Sequence, residues 1–198
     1  MDNQELITYN NAIQLAVRAH DGQRRKNTAA APYITHPLNV SRILIEAGVT
    51  DYNAIIAAVL HDVIEDSDYT EKDIADEINP EIAAIVQEVT NLDGENVTKA
   101  MKKHAQIEKS KTMSDPARLV KLADKADNLD NLATDPPIGW SPEAIAGYYD
   151  WSYAVCLNLF GLNAKLDERV RLLFEPYGLN GISTEDLTER LDRYYASM

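Results

Sequence analysis

The stretch His61-Asp62-Val63-Ile64-Glu65-Asp66 sets one imidazole and three carboxylates within six residues, directly after the apolar run Ala57-Ala58-Val59-Leu60. On a continuous helix at about 100° per residue, Glu65 lies four residues past His61 and three past Asp62, and Asp66 four past Asp62. The four groups then share a sector of about 140°. Carboxylates this close repel one another, and burying them unpaired is costly or forces them to take up protons. A divalent cation would supply the missing positive charge, with His61 and Asp62 as two of its ligands.

Two ligands do not make a site, and the chain holds four histidines, His20, His36, His61 and His104. His36 stands in PYITHP, just before a helix start, where a fixed backbone can aim an imidazole inward. Asp124 stands in KLADKADN, inside an apolar helical stripe where a lone carboxylate has no packing reason to be. His20 and His104 have no carboxylate at ligand spacing and read as structural or exposed.

These residues must be positioned by helices, because clean β alternation is missing and helical periodicity dominates. Apolar spacing predicts a helix over residues 3–20, stopped by Gly22, and another from Pro37 to a stop at Gly48. Asp51 is a candidate N-cap for the helix carrying the acidic stretch, and Thr70 with Asp73 and Asn79 with Pro80 open two short helices. Residues 93–98 read as a turn, followed by a basic helix over residues 99–109. Asp115 with Pro116 opens the helix that carries Asp124. DPPIGWSP breaks the pattern, Ser141 caps a long helix to about residue 173, and a last short helix starts near Ser183. The expected fold class is all-α, a compact helical globule around a buried metal site.

The chain has 198 residues, 45% hydrophobic and 26% charged, which suits one domain with a substantial core. No apolar run approaches the roughly 20 residues of a membrane span, and the N-terminal residues lack a secretory pattern, so a cytoplasmic location and no membrane partner are expected. The net charge of −13 is uneven: residues 51–98 hold 13 acidic residues and one basic, residues 99–125 eight basic and three acidic. So acidic a chain argues against nucleic acid as a partner, while the basic stretch suits a small polyanion. The single cysteine, Cys156, lies in an apolar pattern and reads as a small buried hydrophobe rather than a nucleophile. Trp140 and Trp151 read as packing anchors.

AHDGQRRK, PYITHPLNV, AAVLHDVIEDSD and KLADKADNLDNL, in this order, resemble the HD-domain guanosine tetraphosphate hydrolases of the RelA/SpoT type, and most closely the stand-alone small alarmone hydrolases. The resemblance runs from about residue 5 to 178 and includes GWSPEAIAGYYDW. It implies an HD-type hydrolase domain over residues 1–178, followed by a C-terminal helical tail over residues 179–198. It also implies that His36, His61, Asp62 and Asp124 bind one metal ion, usually Mn²⁺, and that Glu65 and Asp66 handle the attacking water.

The implied activity is metal-dependent hydrolysis of the 3′-diphosphate of ppGpp or pppGpp, giving GDP or GTP and pyrophosphate. Alternatives are removal of the 2′-phosphate of NADPH, or nucleotide sensing without turnover. Arg25 matches a position near the base and Lys26 one near phosphate, a division that suits a forked guanidinium and a point-charge ammonium. Asn128 and Tyr148 match nucleotide contacts. Two departures stand out. The loop Asn27-Thr28-Ala29-Ala30-Ala31 lacks the glycine frequent in this family, and Asp130 replaces a frequent arginine, an expected loss of positive charge near the site. The family's separate synthetase domain has no room here, so no alarmone synthesis is expected.

Overall fold

The computed structural model describes residues 2–91 and 97–198. Among these, eleven α-helices and one 3₁₀ turn carry the fold, and the extended backbone amounts to two isolated bridges, Arg24 with Pro32 and Asn27 with Pro137. Helix α1 spans Asn3–Ala19, opened by a capping box in which Asp2 and Glu5 satisfy each other's backbone N–H groups. Helix α2 spans Thr35–Glu46 and stops before Gly48, which adopts φ +79°, a left-handed conformation glycine takes without strain. Asp51 accepts hydrogen bonds from the Asn53 and Ala54 amides and starts α3, Tyr52–Leu60.

Helix α3 is the centre of the core. Its residues 54–60 are all buried, and it packs against α1, α2, α6 (Pro80–Val89) and α8 (Asp115–Thr134). A helix apolar on every face must be surrounded. Burying Ile55, Ile56, Val59 and Leu60 contributes about 1.5–3 kcal/mol each, which offsets the desolvation of the ionisable groups at the helix end.

The stretch 61–66 is not one continuous helix. Helix α3 ends at Leu60, Asp62 takes φ −101° and ψ −2°, and a single new turn, α4, spans Val63–Asp66. Asp62 leaves the α4 amides uncapped because its carboxylate is held by Tyr33, whose hydroxyl donates to Asp62 Oδ2 at 2.7 Å. The break lets His61 close one helix and Asp62 open the next, so both face α8.

Helix α5 spans Glu71–Glu77 with the expected Thr70–Asp73 capping box, and α7 spans Lys99–Ser110 with Thr98 as its cap. Most of the turn expected over residues 93–98 lies outside the described residues. Ser114, not Asp115, caps α8, which moves Pro116 to the second helical position. The single helix expected over residues 142–173 is two, α9 (Pro142–Cys156) and α10 (Ala164–Phe174). Between them Gly161 turns at φ +103°, and Arg118 Nη2 donates to the carbonyls of Leu159 and Phe160 at 3.3 and 2.6 Å. Those carbonyls would otherwise have to find partners in a continued helix.

The final helix, α11 (Thr184–Ala196), lies along α9. Arg190 pairs with the buried Asp150 at 2.6 Å, and Tyr194 covers Gly147, where a Cβ would stand 2.1 Å from the ring. Cys156 is fully buried, and burial pushes its thiol up to about 12, as suits a packing residue. No described helix is long and apolar enough to cross a membrane.

Candidate metal centre and its cavity

His36 from the start of α2, His61 from the end of α3 and Asp124 from the middle of α8 bring one ligand atom each to within 4.8 Å of one another, and all three are buried. His36 Nε2 lies 3.3 Å from Asp124 Oδ1 and 3.5 Å from Asp62 Oδ2, while His61 Nε2 lies 3.1 Å from Asp62 Oδ2 and 3.7 Å from Asp124 Oδ1. Ligands bound at about 2.1 Å around one ion stand about 3.0–3.5 Å apart, so these spacings suit a shared divalent cation.

Both imidazoles present the same nitrogen. His61 Nδ1 donates to the Ala58 carbonyl at 2.9 Å, and His36 Nδ1 to Asp127 Oδ2 at 2.6 Å, which leaves both Nε2 lone pairs facing the centre. His61 Nε2 is fully buried and has no hydrogen-bond partner, a cost that a metal ion removes. The donor set therefore fits a divalent cation. Without a metal, burial disfavours the His61 cation, but Asp62 and Asp124 outweigh it and push its pKa up to about 10. His36 is raised in the same way, against its burial, by bonds to Asp124 and Asp127.

Asp124 is also flanked by two lysines of its own helix. Burial alone would raise its pKa, but Lys121 and Lys125, 3.5 and 3.8 Å from Oδ2 and themselves buried, hold it well below the ordinary range.

The centre opens into a cavity of about 610 Å³, with Asp62, Glu65 and Asp66 on one side and residues 24–27 on another. Asn91 fixes Glu65, donating from its backbone at 3.1 Å and its side chain at 2.6 Å to Oε2. Burial pushes the Glu65 carboxyl up, Lys121 and the Asn91 bonds opposing. Asp66 is likewise raised by burial and by the neighbouring Asp62 charge, with Tyr33 opposing. Arg25 Nη2 donates to Asn128 Oδ1 at 3.4 Å, and Asn128 Nδ2 to Asp124 Oδ1 at 2.5 Å. Lys26 and Tyr148 also line the cavity, so every residue singled out from the sequence as metal-binding, catalytic or nucleotide-binding lies in the centre or on this wall.

Several contributors were not anticipated. Tyr33, Gln23, Asn91, Asp127 and the lysines beside Asp124 all hold site residues in place. Asp127 had a readable signal, since it falls three residues after Asp124 on a buried helix face. Trp140 differs from expectation: it is 39% exposed, lines the cavity and lies 5.6 Å from the Tyr148 ring, whereas Trp151 is buried as expected. Asp130 is not part of the cavity lining and pairs with Arg169 of α10 at 3.0 Å.

The basic loop is anchored from the end of α8. Asp135 accepts hydrogen bonds from the Thr28 and Ala29 amides at 3.2 and 3.0 Å, and the Ile138 amide donates to the Lys26 carbonyl at 3.1 Å. The missing glycine leaves a trace here, since Ala30 adopts φ +45°. An L-residue there is strained by about 1–2 kcal/mol, partly offset in glycine by its greater unfolded-state entropy. Ala30→Gly is expected to stabilise the protein by about 0.5–1 kcal/mol without lowering activity, read by denaturant unfolding. A destabilised variant would mean that the loop conformation is not strained.

An HD domain family model matches residues 12–146. The guanosine-3′,5′-bis(diphosphate) 3′-pyrophosphohydrolase MESH1 of Drosophila melanogaster is 40% identical over 84% of this chain and 93% of its own length. That of Homo sapiens is 40% identical over 85% of this chain and 93% of its own. A solved structure of a metazoan ortholog of SpoT that hydrolyses ppGpp superposes with a TM-score of 0.82 at 39% identity, covering 87% of this chain and 96% of that one. With its helical fold, its buried donor cluster and this similarity along most of its length, the chain belongs to the HD domain family, in the group of the MESH1 pyrophosphohydrolases.

Proposed function

We propose that the protein hydrolyses the 3′-diphosphate of guanosine tetra- and pentaphosphate, releasing pyrophosphate and GDP or GTP, with one Mn²⁺ held by His36, His61, Asp62 and Asp124. The observation that carries this reading is the joining of two chemistries in one cavity: a cluster of imidazole and carboxylate donors beside Glu65 and Asp66, faced by Arg25 and Lys26. When bound, the cation neutralises phosphate charge and lowers the pKa of water. Mixed nitrogen and oxygen donors suit Mn²⁺.

The chain's own groups do the rest. Glu65 and Asp66 accept the proton of the water that attacks the 3′-linked phosphorus, and Asn91 holds Glu65 at a fixed angle for that transfer. Arg25 lines the cavity, 5.9 Å from the centroid of the Tyr33 ring, and its planar guanidinium suits stacking on a purine. Lys26 supplies a point charge for the phosphates, while Asn128 and Tyr148 bound the space for the nucleoside.

The experiment that tests the substrate is competition: ppGpp and NADPH offered together to the Mn²⁺-loaded protein, with products resolved by chromatography. Preferential consumption of ppGpp supports the reading, and preferential release of phosphate from NADPH refutes it. A pH profile tests the proton acceptors. Both carboxyls are raised by burial, so the ionised form they need is lost as pH falls through values above the ordinary range of about 4. The acid limb of kcat at saturating metal is expected above that range. A limb at or below about pH 4 would exclude both as the base.

A further inference from the structure

Asp127 takes part in neither the donor cluster nor the lining of the cavity, yet it is 5% exposed and its Oδ2 serves both. That one oxygen accepts from His36 Nδ1 at 2.6 Å and lies 3.8 Å from Arg25 Nη2. We propose that Asp127 is a positioning residue that couples the two halves of the site, fixing His36 with its Nε2 toward the cation while holding Arg25 against the cavity wall.

The geometry gives each half a reason. A buried imidazole with a free Nδ1 would rotate or change tautomer, and a carboxylate partner fixes both while making Nε2 a better donor. Arg25 is only 15% exposed, and its Nη2 has two anchors, Asn128 Oδ1 at 3.4 Å and Asp127. Asn128 in turn bonds Asp124, so both anchors lead back to the donor cluster, one through Asp124 and one through His36. With a cation held at Nε2, His36 Nδ1–H would be a stronger donor to Asp127 Oδ2. The nucleotide half of this inference rests on the proposed function, while the metal half does not.

The test uses the full chain stripped of metal and free of nucleotide, with Mn²⁺ binding read from the EPR signal of the free ion. Asp127→Asn, close to isosteric, is expected to weaken Mn²⁺ binding about 10–100-fold. Asp127→Ser gives the same reading should the Asn variant not fold. The second readout is KM for ppGpp at saturating Mn²⁺, where Arg25→Ala is expected to raise KM less in the Asp127→Asn background than in the wild type. Mn²⁺ affinity within twofold of wild type in a folded variant overturns the proposal, as do strictly additive KM changes. A wild-type protein inert toward ppGpp would instead refute the substrate, leaving the Mn²⁺ titration to decide the role of Asp127.

Discussion

Glu65→Gln is expected to lower kcat for ppGpp by about 10²–10⁴-fold, the usual contribution of a positioned general base. The substitution keeps the shape of the side chain and leaves Oε1 to accept from Asn91, so the fold and the wall of the cavity should survive. Glu65 stands outside the buried donor group of His36, His61 and Asp124, so Mn²⁺ affinity should change little. KM should also stay within a few-fold, because the loss falls on the transition state. Steady-state kinetics together with a Mn²⁺ titration separates these quantities. Unchanged turnover would remove Glu65 from the chemistry and leave Asp66 as the acceptor. A rate that falls only in step with Mn²⁺ occupancy would make Glu65 a metal-holding residue.

Asp124→Ala is expected to abolish cation binding and also to destabilise the metal-free protein by about 3–5 kcal/mol. The second effect separates it from loss of any other proposed ligand. Lys121 and Lys125 are both buried within 4.0 Å of this carboxylate, and without it two ammonium groups remain in the interior with their main counter-charge gone. For a chain of this length, about 1 kcal/mol shifts Tm by about 2–4 °C, so a fall of roughly 10 °C is the scale to look for. Asp62→Ala should also lose the cation, but Asp62 lies at the cavity edge with imidazoles and a tyrosine as neighbours and no lysine in contact, so its metal-free Tm should fall less. Comparing metal-stripped proteins removes the stabilisation a bound ion adds. Equal Tm values for the two variants would mean that the lysines do not depend on Asp124.

The sign of the pH effect follows from the same pairing. The Asp124 carboxyl is held below its ordinary value, so its contribution to stability is present above an unfolded pKa of about 4 and is lost as pH falls further. The Tm gap between wild type and Asp124→Ala should therefore close in strong acid.

Local rules made most helix starts legible: Asp51, Thr70, Asn79, Ser141 and Ser183 all cap where a short polar residue precedes an apolar run. The donor residues were legible for other reasons: Asp124 is a carboxylate in an apolar helical stripe where packing gives it no purpose, and His36 sits just before a helix start, where a fixed backbone can aim an imidazole inward. What the sequence hid depends on distance in space. Nothing local shows that Tyr33 would pull Asp62 out of a capping role and break the helix at 61–62. Nor does the spacing in α9 and α10 announce that Arg118, on another helix, would take the carbonyls that a continuous helix needs. The same holds for Asp130: its charge is plain in the sequence, but its direction is decided by Arg169 on α10.

The central claim is that the His36, His61 and Asp124 cluster serves hydrolysis at a nucleotide 3′-diphosphate, and product analysis tests it most directly. Purified protein stripped with EDTA and reloaded with Mn²⁺ is given ppGpp, and the products are resolved by ion-exchange chromatography. Equal amounts of GDP and pyrophosphate, formed only when the metal is restored, are the predicted result. Intact ppGpp in the presence of bound Mn²⁺, or release of single phosphates in place of pyrophosphate, would contradict it.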